Sequence, residues 1–347
     1  MKKSLLMASK AFTIAAVASV ALTATAHARV LKVQTSQNAG DFTFEHLTNV
    51  WAPKLKSMTN GEIEIELLPT KSVVPHRETP DAVANGILDG DLTATAYFSG
   101  RDPAFALMGD LIAGYDTPEQ IQTFCMLGGG KEMLQKIYDT LVENVHVVGC
   151  DAYTREALVA KIPIKTLADL KGVKIRSPEG LAAEVFKRAG AAPVSLPFSE
   201  VYTSLEKGVV DAADASAYAN NDASGMHTIA KYPIYPGIHS MAFIQFTLNQ
   251  DVWDSLTEGQ KTAIDVWYLA SRADLRRIAD LKDKDLVARD RKAGDITIVD
   301  WSQEDRDAFR AIAKGAWEDF AAKSELAKET YATHVKFMER MGLLQAD

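Results

Sequence analysis

The sequence predicts an α/β protein built as two lobes, and three features lead to this prediction. The chain opens as strand, helix, strand, an order typical of an α/β sheet. Its strand-forming segments leave the first sheet near residue 151 and return to it near residue 240, so the residues between them form a second lobe. An uninterrupted helical run from Gln260 to Ala293 is long enough to lie along both lobes. A chain of 347 residues has the length that two such lobes need.

The first 28 residues have the pattern of an export signal. Three lysines (Lys2, Lys3 and Lys10) precede or enter a mostly apolar run over residues 11–22, and Ala26-His27-Ala28 matches a cleavage site between small residues. The run is too short to cross a bilayer comfortably, so we expect residues 1–28 to be a signal peptide cleaved after Ala28. Losing the three lysines takes the formal net charge from −8 to −11. Such an acidic chain without a basic cluster is not expected to bind nucleic acid.

Lobe I is expected to cover residues 29–151 and to be completed by residues at about 240–259. Alternating or β-branched segments predict its strands at 30–35, 62–68, 92–98, 146–150 and 241–248. Amphipathic segments predict helices at 43–59, 79–89, 117–127 and 132–142. Tyr97 and Phe98 would then stand at the carboxyl end of the third strand, where open α/β sheets bind ligands.

Lobe II is expected to cover residues 152–239, with the stretch Gly172–Tyr218 at its centre. A short strand ends at Arg176, a Ser-Pro-Glu-Gly turn leads into a helix, and a second strand ends at Asp211 and Asp214. A unit of this kind delivers polar groups to the carboxyl ends of its strands. A helix over about 220–231 and a Pro/Gly-rich segment then return the chain to lobe I.

The long helix is expected over residues 260–293. Thr257 and Gln260 form a capping box before it, and Gly294 supplies a stop. Two shorter helices with a bend near Asp280 are the alternative. Residues 294–347 are expected to add a short strand at 296–299 and helices over 302–342 that pack on the lobes.

Catalytic and metal-binding motifs give little support to an enzyme. The seven histidines fall in no compact metal-ligand spacing, and no GxSxG or CxxC motif occurs. We therefore expect no cofactor and no metal site. Asp211 and Asp214 could be paired catalytic carboxylates, although an acid at a strand end more often caps a helix or holds an arginine.

Two arginines are the strongest candidates for ligand binding. Arg155 and Arg176 each close an apolar segment inside an α/β lobe, where a permanently charged guanidinium must find an anion. That anion is either a bound ligand or a neighbouring carboxylate such as Glu179, Asp211 or Asp214. A set of aromatic residues at loop or strand ends would suit a pocket for an organic anion: Tyr97, Phe98, Tyr153, Phe198 and Tyr218. The predicted ligand-binding residues are Arg176, Arg155, Asp214, Tyr97, Phe98, Tyr218 and His239.

The mature region holds two cysteines, Cys125 and Cys150. In an oxidising compartment they could pair. They could equally remain buried free thiols.

Several segments resemble the solute-binding proteins of tripartite ATP-independent periplasmic (TRAP) transporters, of the dicarboxylate-binding (DctP) type. The similar segments are the exported N-terminus, residues 170–176 (LKGVKIR), 189–193 (AGAAP), 197–202 (PFSEVY), 205–211 (LEKGVVD) and the long helix. The resemblance implies a two-lobed, class II-like periplasmic binding fold that closes on its ligand by a hinge. It implies a small organic acid whose carboxylate is held by Arg176 with help from Arg155, and delivery of that acid to membrane subunits driven by a sodium gradient. It also implies a periplasmic, non-enzymatic protein that is not embedded in the membrane, and we expect a monomer.

Residues 97–107 and the triplet Gly128–Gly130 resemble the branch that binds 2-oxo acids or lactate, some members of which place a cation beside the ligand. The chain departs from both branches after Asp211, where Asp214-Ala215-Ser216 stands in place of Glu-Asn-Pro or Glu-Trp. Asp214 could still accept a hydrogen bond from a ligand hydroxyl or amine. Two other functions remain open at this stage, a binding protein of an ATP-driven importer or sensor system and an exported hydrolase or isomerase.

Overall fold

The computed structural model describes residues 28–178, 180–238 and 240–344 of the chain. The signal-peptide prediction therefore falls almost wholly outside the described residues. The strands are β1 (Arg29–Thr35), β2 (Ile63–Leu68), β3 (Gly90–Ala94), β4 (Val145–Ala152), β5 (Val159–Ala160), β6 (Lys174–Ser177), β7 (Ala192–Ser195), β8 (Ala212–Ala213) and β9 (Phe243–Asn249). They form two sheets, which confirms the predicted two-lobed α/β fold.

The helices surround these two sheets. They are α1 (Phe42–His46), α2 (Ala52–Met58), α3 (Thr79–Ala84), α4 (Pro103–Gly109), α5 (Pro118–Leu127), α6 (Gly130–Leu141), α7 (Leu181–Arg188), α8 (Val201–Glu206), α9 (Tyr218–Ala223), α10 (Met226–Ile229), α11 (Gln250–Asp254), α12 (Glu258–Ala293), α13 (Gln303–Ala321) and α14 (Glu325–Arg340). A π-helical turn, Leu47–Trp51, joins α1 to α2. Among the described residues, no helix is both long and apolar enough to cross a membrane.

The first sheet has the strand order β2-β1-β3-β9-β4. Strand β1 runs parallel to β2 and β3, whereas β9 runs antiparallel to β3 and β4. In β2 the alternation seen in the sequence has its expected cause, because Ile63, Ile65 and Leu67 are buried while Glu64 and Glu66 reach the surface. The late strand β9 is apolar throughout because it is the buried fourth strand of this sheet.

The second sheet has the strand order β5-β8-β6-β7. Strand β6 is parallel to both β7 and β8, with Arg176 opposite Val194 and Ala213. The sequence predicted one strand ending at Asp211 and Asp214, but β8 is only two residues long and lies between these two aspartates. Strand β7 and helices α4 and α8 were not predicted, because each is short and carries no clear periodicity.

Three predicted elements end earlier than expected, each for a local reason. Helix α3 stops at Ala84 instead of Asp89, where Asn85 and the left-handed Gly86 turn the chain. The strand predicted at 92–98 pairs with β9 only as far as Ala94, and residues Thr95–Phe98 form a 3-10 turn. The helix predicted over 220–231 is split into α9 and α10 by Gly225, which has a positive φ of 75°.

The short strand predicted at 296–299 is a single bridge between Val299 and Ile234.

Two chain segments cross side by side between the sheets. The backbone N–H of Tyr153 donates to the carbonyl of Ala242 at 2.7 Å, and that of Glu156 donates to Ser240 at 3.1 Å. A β-carbon at Gly237 would lie 1.6 Å from the carbonyl oxygen of Glu156, so only glycine allows the two segments to approach this closely. These adjacent crossings are the natural hinge of the two lobes.

Helix α12 is one continuous helix of 36 residues, so the alternative of two shorter helices is wrong. At 1.5 Å per residue it is about 54 Å long. The Thr257–Gln260 capping box and the left-handed Gly294 bound it as predicted. Trp267 and Tyr268 pack into the core of the first lobe, whereas Asp283 accepts a 2.7 Å hydrogen bond from the backbone of Ala219 in the second.

Cys125 in α5 and Cys150 in β4 form a disulfide. Both residues are almost fully buried, and the bond closes a segment 25 residues apart in sequence. We expect the double variant Cys125→Ala/Cys150→Ala to lose about 3 kcal/mol of unfolding free energy, because the unfolded chain regains the entropy of that loop. Urea unfolding of the variant and of reduced wild-type protein should give similar losses. Two titratable thiols in the denatured, unreduced wild type would contradict the bond.

Candidate functional site

A cavity of about 70 Å³ lies between the lobes. From the first lobe, Ser36, Gln37, Asp41 and Tyr97 line it. From the second lobe it is lined by Arg176, Leu181, Phe198 and Ser216, and from the crossing segments by Tyr153, Glu156 and Ser240. The volume has room for about five water molecules, or for one organic molecule with a similar number of heavy atoms.

Arg176 is the central cation of this cavity. It stands near the carboxyl end of β6 and is 3% exposed. Its Nε donates to the carbonyl of Leu196 at 2.8 Å, and its Nη1 donates to the carbonyl of Asp214 at 2.7 Å. Its Nη2 is buried and makes no hydrogen bond to any described residue. Buried donors are nearly always paired in native proteins, so this nitrogen is a donor that a ligand acceptor could satisfy.

Carboxyl groups surround the arginine. Glu156, Asp41 and Asp110 line the cavity, and Ser240 Oγ donates to Asp110. The carboxyl groups of Glu156 and Asp214 interact directly, and two neighbouring carboxyl groups favour a state in which one of them keeps its proton. Desolvation, followed by the charges of Asp214 and Asp110, raises the pKa of Glu156 well above its usual range. The cavity therefore holds the permanently charged Arg176 guanidinium together with a Glu156 carboxyl group that favours its protonated form.

The raised pKa of Glu156 makes the free energy of unfolding depend on pH. Because the pKa of Glu156 is raised above 4.5 in the folded protein, the folded state keeps a proton that the unfolded state has lost. Wild-type stability should therefore fall relative to Glu156→Gln as the pH rises above the ordinary carboxyl range, by at most about 1.4 kcal/mol per pH unit. Urea unfolding of both proteins up to about pH 8 measures the difference. Parallel curves would contradict it, and Glu206→Gln, at an exposed position, is the matched control.

The lobes meet over the cavity. Tyr97 Oη of the first lobe accepts a 3.4 Å hydrogen bond from the backbone N–H of Phe198 in the second. Near the same edge, Lys71 pairs with Glu200 at 3.2 Å. Deeper inside, Ser216 Oγ donates to Tyr153 Oη at 3.1 Å, and Tyr153 donates to Thr43 Oγ1 at 3.1 Å. A ligand in the cavity would thus be enclosed by both lobes.

The structure brings together only part of the predicted ligand-binding set. Arg176 and Tyr97 line the cavity, and Asp214 contributes its carbonyl to Arg176 and its carboxyl to Glu156. His239 lies outside the described residues. Arg155, Phe98 and Tyr218 do not line the cavity.

Each of these three residues makes contacts elsewhere in the structure. Successive residues of an extended segment face opposite sides, so Glu156 faces the cavity whereas Arg155 points away and donates to the carbonyl of Asp116. Phe98 is 1% exposed in the core of the first lobe, because the 3-10 turn that aims Tyr97 at the cavity turns its neighbour inward. Tyr218 donates to Asp290 of α12 at 2.7 Å.

Sequence reasoning did not single out Gln37, Asp41, Asp110, Glu156 or Ser240. Gln37 and Asp41 lie in the polar loop that follows β1, and the end of a parallel strand was an available signal for them. Glu156 adjoins the predicted Arg155, so an alternation argument could have pointed to it. Asp110 and Ser240 are 130 residues apart, and nothing local in the sequence joins them.

The chain matches the DctP family model, described as bacterial extracellular solute-binding protein, family 7, over residues 34–324. A TRAP periplasmic solute-binding protein of Rhodobacter sphaeroides, in an apo open structure, is 42% identical with a TM-score of 0.76, covering 92% of this chain and 100% of that one. A monocarboxylate 2-oxoacid-binding periplasmic protein of Nostoc sp. is 27% identical over 84% of this chain and 79% of its own length. A TRAP periplasmic solute-binding protein of Pseudoalteromonas atlantica with bound sodium and pyruvate shares the fold at 24% identity and a TM-score of 0.77, covering 91% of this chain and 95% of that one.

The chain therefore belongs to the DctP family of TRAP solute-binding proteins. This membership confirms the resemblance stated from the sequence. It also confirms that the chain is a solute-binding protein of a transport system and not an enzyme, which removes the catalytic interpretation of Asp211 and Asp214.

Proposed function

We propose that this chain, a DctP-family TRAP solute-binding protein, captures one small organic acid anion in the interlobe cavity and delivers it to the membrane subunits of a TRAP transporter. The observation that carries the proposal is Arg176, whose Nη2 is a buried guanidinium donor without a partner among the described residues. A ligand carboxylate would accept from that nitrogen. The two fixed bonds to Leu196 and Asp214 hold the guanidinium ready, so little side-chain entropy is lost on binding.

The ligand is a short carboxylic acid with a second polar group near the carboxylate. The cavity volume of about 70 Å³ suits a molecule of few heavy atoms. Gln37 Oε1 is buried and without a partner among the described residues, and the Glu156 carboxyl also lines the cavity. A 2-hydroxy group could donate to Gln37 Oε1, and a 2-oxo group could accept from the protonated Glu156 carboxyl, while the carboxylate contacts Arg176. The similarity to a 2-oxoacid-binding protein supports this class.

The protein would do this work outside the cytoplasm. Its family is extracellular, and its N-terminal 28 residues have the pattern of a signal peptide. We propose a periplasmic monomer cleaved after Ala28. Its lobe I comprises residues 29–151 with about 240–259, and lobe II comprises 152–239. The helix at 260–293 spans both, and residues 294–347 pack on the lobes.

A thermal-shift screen of ligand-free protein tests the proposal. We expect short 2-oxo or 2-hydroxy acids to raise the melting temperature as RT ln(1 + [L]/Kd) requires. The amide of the same acid, which has no carboxylate, should leave the melting temperature unchanged. If no carboxylic acid shifts the transition, and native mass spectrometry finds none on the purified protein, the proposal is wrong.

A further inference from the structure

Three side chains able to bind a metal meet where the second lobe contacts the long helix. Asp222 lies in the last turn of α9, His227 lies in α10, and Asp290 lies in the last turn of α12. One possible ligand atom from each residue lies within 4.8 Å of the other two. None of the three lines the interlobe cavity, so this cluster is separate from the site proposed for the organic acid.

The histidine of this cluster is buried, and its ring nitrogens make no hydrogen bond of ordinary length to a described residue. His227 is 3% exposed, and neither Nδ1 nor Nε2 has a hydrogen-bond partner among the described residues. Its Nδ1 lies 3.5 Å from Asp222 Oδ1, at the outer limit of such a bond. Buried polar groups are nearly always paired, so an unpaired imidazole directed at two carboxylates requires an explanation.

The carboxylates are already prepared for a cation. Arg289 Nη2 donates to Asp222 Oδ1 and Arg289 Nε donates to Asp290 Oδ1, each at 2.7 Å. Tyr218 Oη donates to Asp290 Oδ2 at 2.7 Å and orients that carboxylate. The Arg289 side chain is 49% exposed and stands at the surface, so it can turn outward into water. One monovalent guanidinium thus stands in the place of a cation between two negative charges.

We propose that Asp222, His227 and Asp290 bind a divalent transition metal of the Zn²⁺ type, with water in the remaining position and Arg289 displaced to solvent. One imidazole nitrogen and two carboxylate oxygens form a donor set that Zn²⁺ accepts. Ca²⁺ prefers six or more oxygen ligands, and the three side chains do not supply them. The ion would tie α9 and α10 to α12 and so stabilise the contact between the second lobe and the long helix. No ion needs to be near the organic acid for this site to fill.

Titration of the metal-stripped full chain with Zn²⁺ tests the site. Calorimetry measures the affinity and the stoichiometry, and a thermal-unfolding scan measures the change in melting temperature. We expect one Zn²⁺ per chain and a higher melting temperature, with no comparable effect of Ca²⁺. His227→Gln keeps a polar side chain but removes the imidazole, and it should weaken Zn²⁺ binding tenfold or more. Arg289→Ala removes the competing cation and should strengthen binding several-fold.

His146→Gln is the matched control, because His146 is a half-buried histidine that stacks on Trp253 far from this cluster. It should bind Zn²⁺ like the wild type. Far-UV circular dichroism of the apo proteins checks that each variant folds. Wild-type protein that binds no Zn²⁺, or His227→Gln protein that binds as tightly as the wild type, overturns the proposal. If the Arg289→Ala variant binds Zn²⁺ more weakly than the wild type, Arg289 does not compete with the metal, and the proposed displacement of Arg289 is wrong.

Discussion

Arg176→Ala should weaken binding of the organic acid by about 30-fold to about 5,000-fold. This range corresponds to about 2–5 kcal/mol, the usual effect of removing one partner of a buried charged pair. Two of the three guanidinium nitrogens are fixed on the carbonyls of Leu196 and Asp214, and the third is the donor left for the ligand. Arg176→Lys should recover only part of the affinity, because an ammonium group cannot reproduce the planar fork.

Isothermal titration with the best acid from the thermal-shift screen gives the affinity directly. Arg155→Ala is the matched control, since Arg155 is the neighbouring arginine whose guanidinium bonds to Asp116 outside the cavity. It should bind like the wild type. Removing Arg176 also leaves two carbonyl groups without a donor, so urea unfolding without ligand must show that the variant is folded. An Arg176→Ala protein that binds within about threefold of the wild type would falsify the assignment, as 1.4 kcal/mol already means a tenfold change.

The contrast between these two arginines shows what the sequence could predict. Both end apolar segments, and both were candidates for holding an anion, with Arg176 the stronger of the two. Arg176 could be placed because β6 lies between two parallel neighbours, so its end is at the sheet edge where ligands bind. Arg155 lies in a crossing segment whose rotation no periodic pattern defines, and the structure directs Glu156 into the cavity instead. Side chains alternate between the two faces of an extended segment, so an error of one residue in its orientation places every side chain on the opposite face.

The same reasoning explains which parts of the fold were predictable. Helix α12 has a capping box, a glycine stop and no internal breaker, and its bounds were predicted within two residues. The 3-10 turn at Thr95–Phe98 was not predicted, because the strand-like sequence pattern of β3 continues past Ala94, where β3 stops pairing with β9. Strand pairing depends on the tertiary structure, so only the structure shows where β3 ends. The cluster at Asp222, His227 and Asp290 joins residues from three helices, so no sequence spacing could reveal it.

The hinge carries a buried ion pair whose loss should have the largest effect on stability. Asp151, the penultimate residue of strand β4 before the crossing, has a fully buried side chain, and Arg276 Nη1 of α12 lies 2.6 Å from its Oδ1. Gln122 Nε2 donates to the other carboxylate oxygen at 2.9 Å. Arg272, one turn earlier in α12, is fully buried beside them, so a single aspartate faces two guanidinium groups.

We expect Asp151→Asn to lose about 3–5 kcal/mol of unfolding free energy, because it leaves Arg276 buried without a counter-ion next to Arg272. Urea unfolding of ligand-free protein measures the loss. Asp280→Asn is the matched control, since Asp280 pairs with Lys284 on the exposed face of the same helix and should change stability by less than about 0.5 kcal/mol. The double variant Asp151→Asn/Arg276→Met should be more stable than Asp151→Asn alone, because it removes the unpaired charge. If Asp151→Asn matches the wild type in unfolding free energy, the pair does not anchor α12 to the crossing segments.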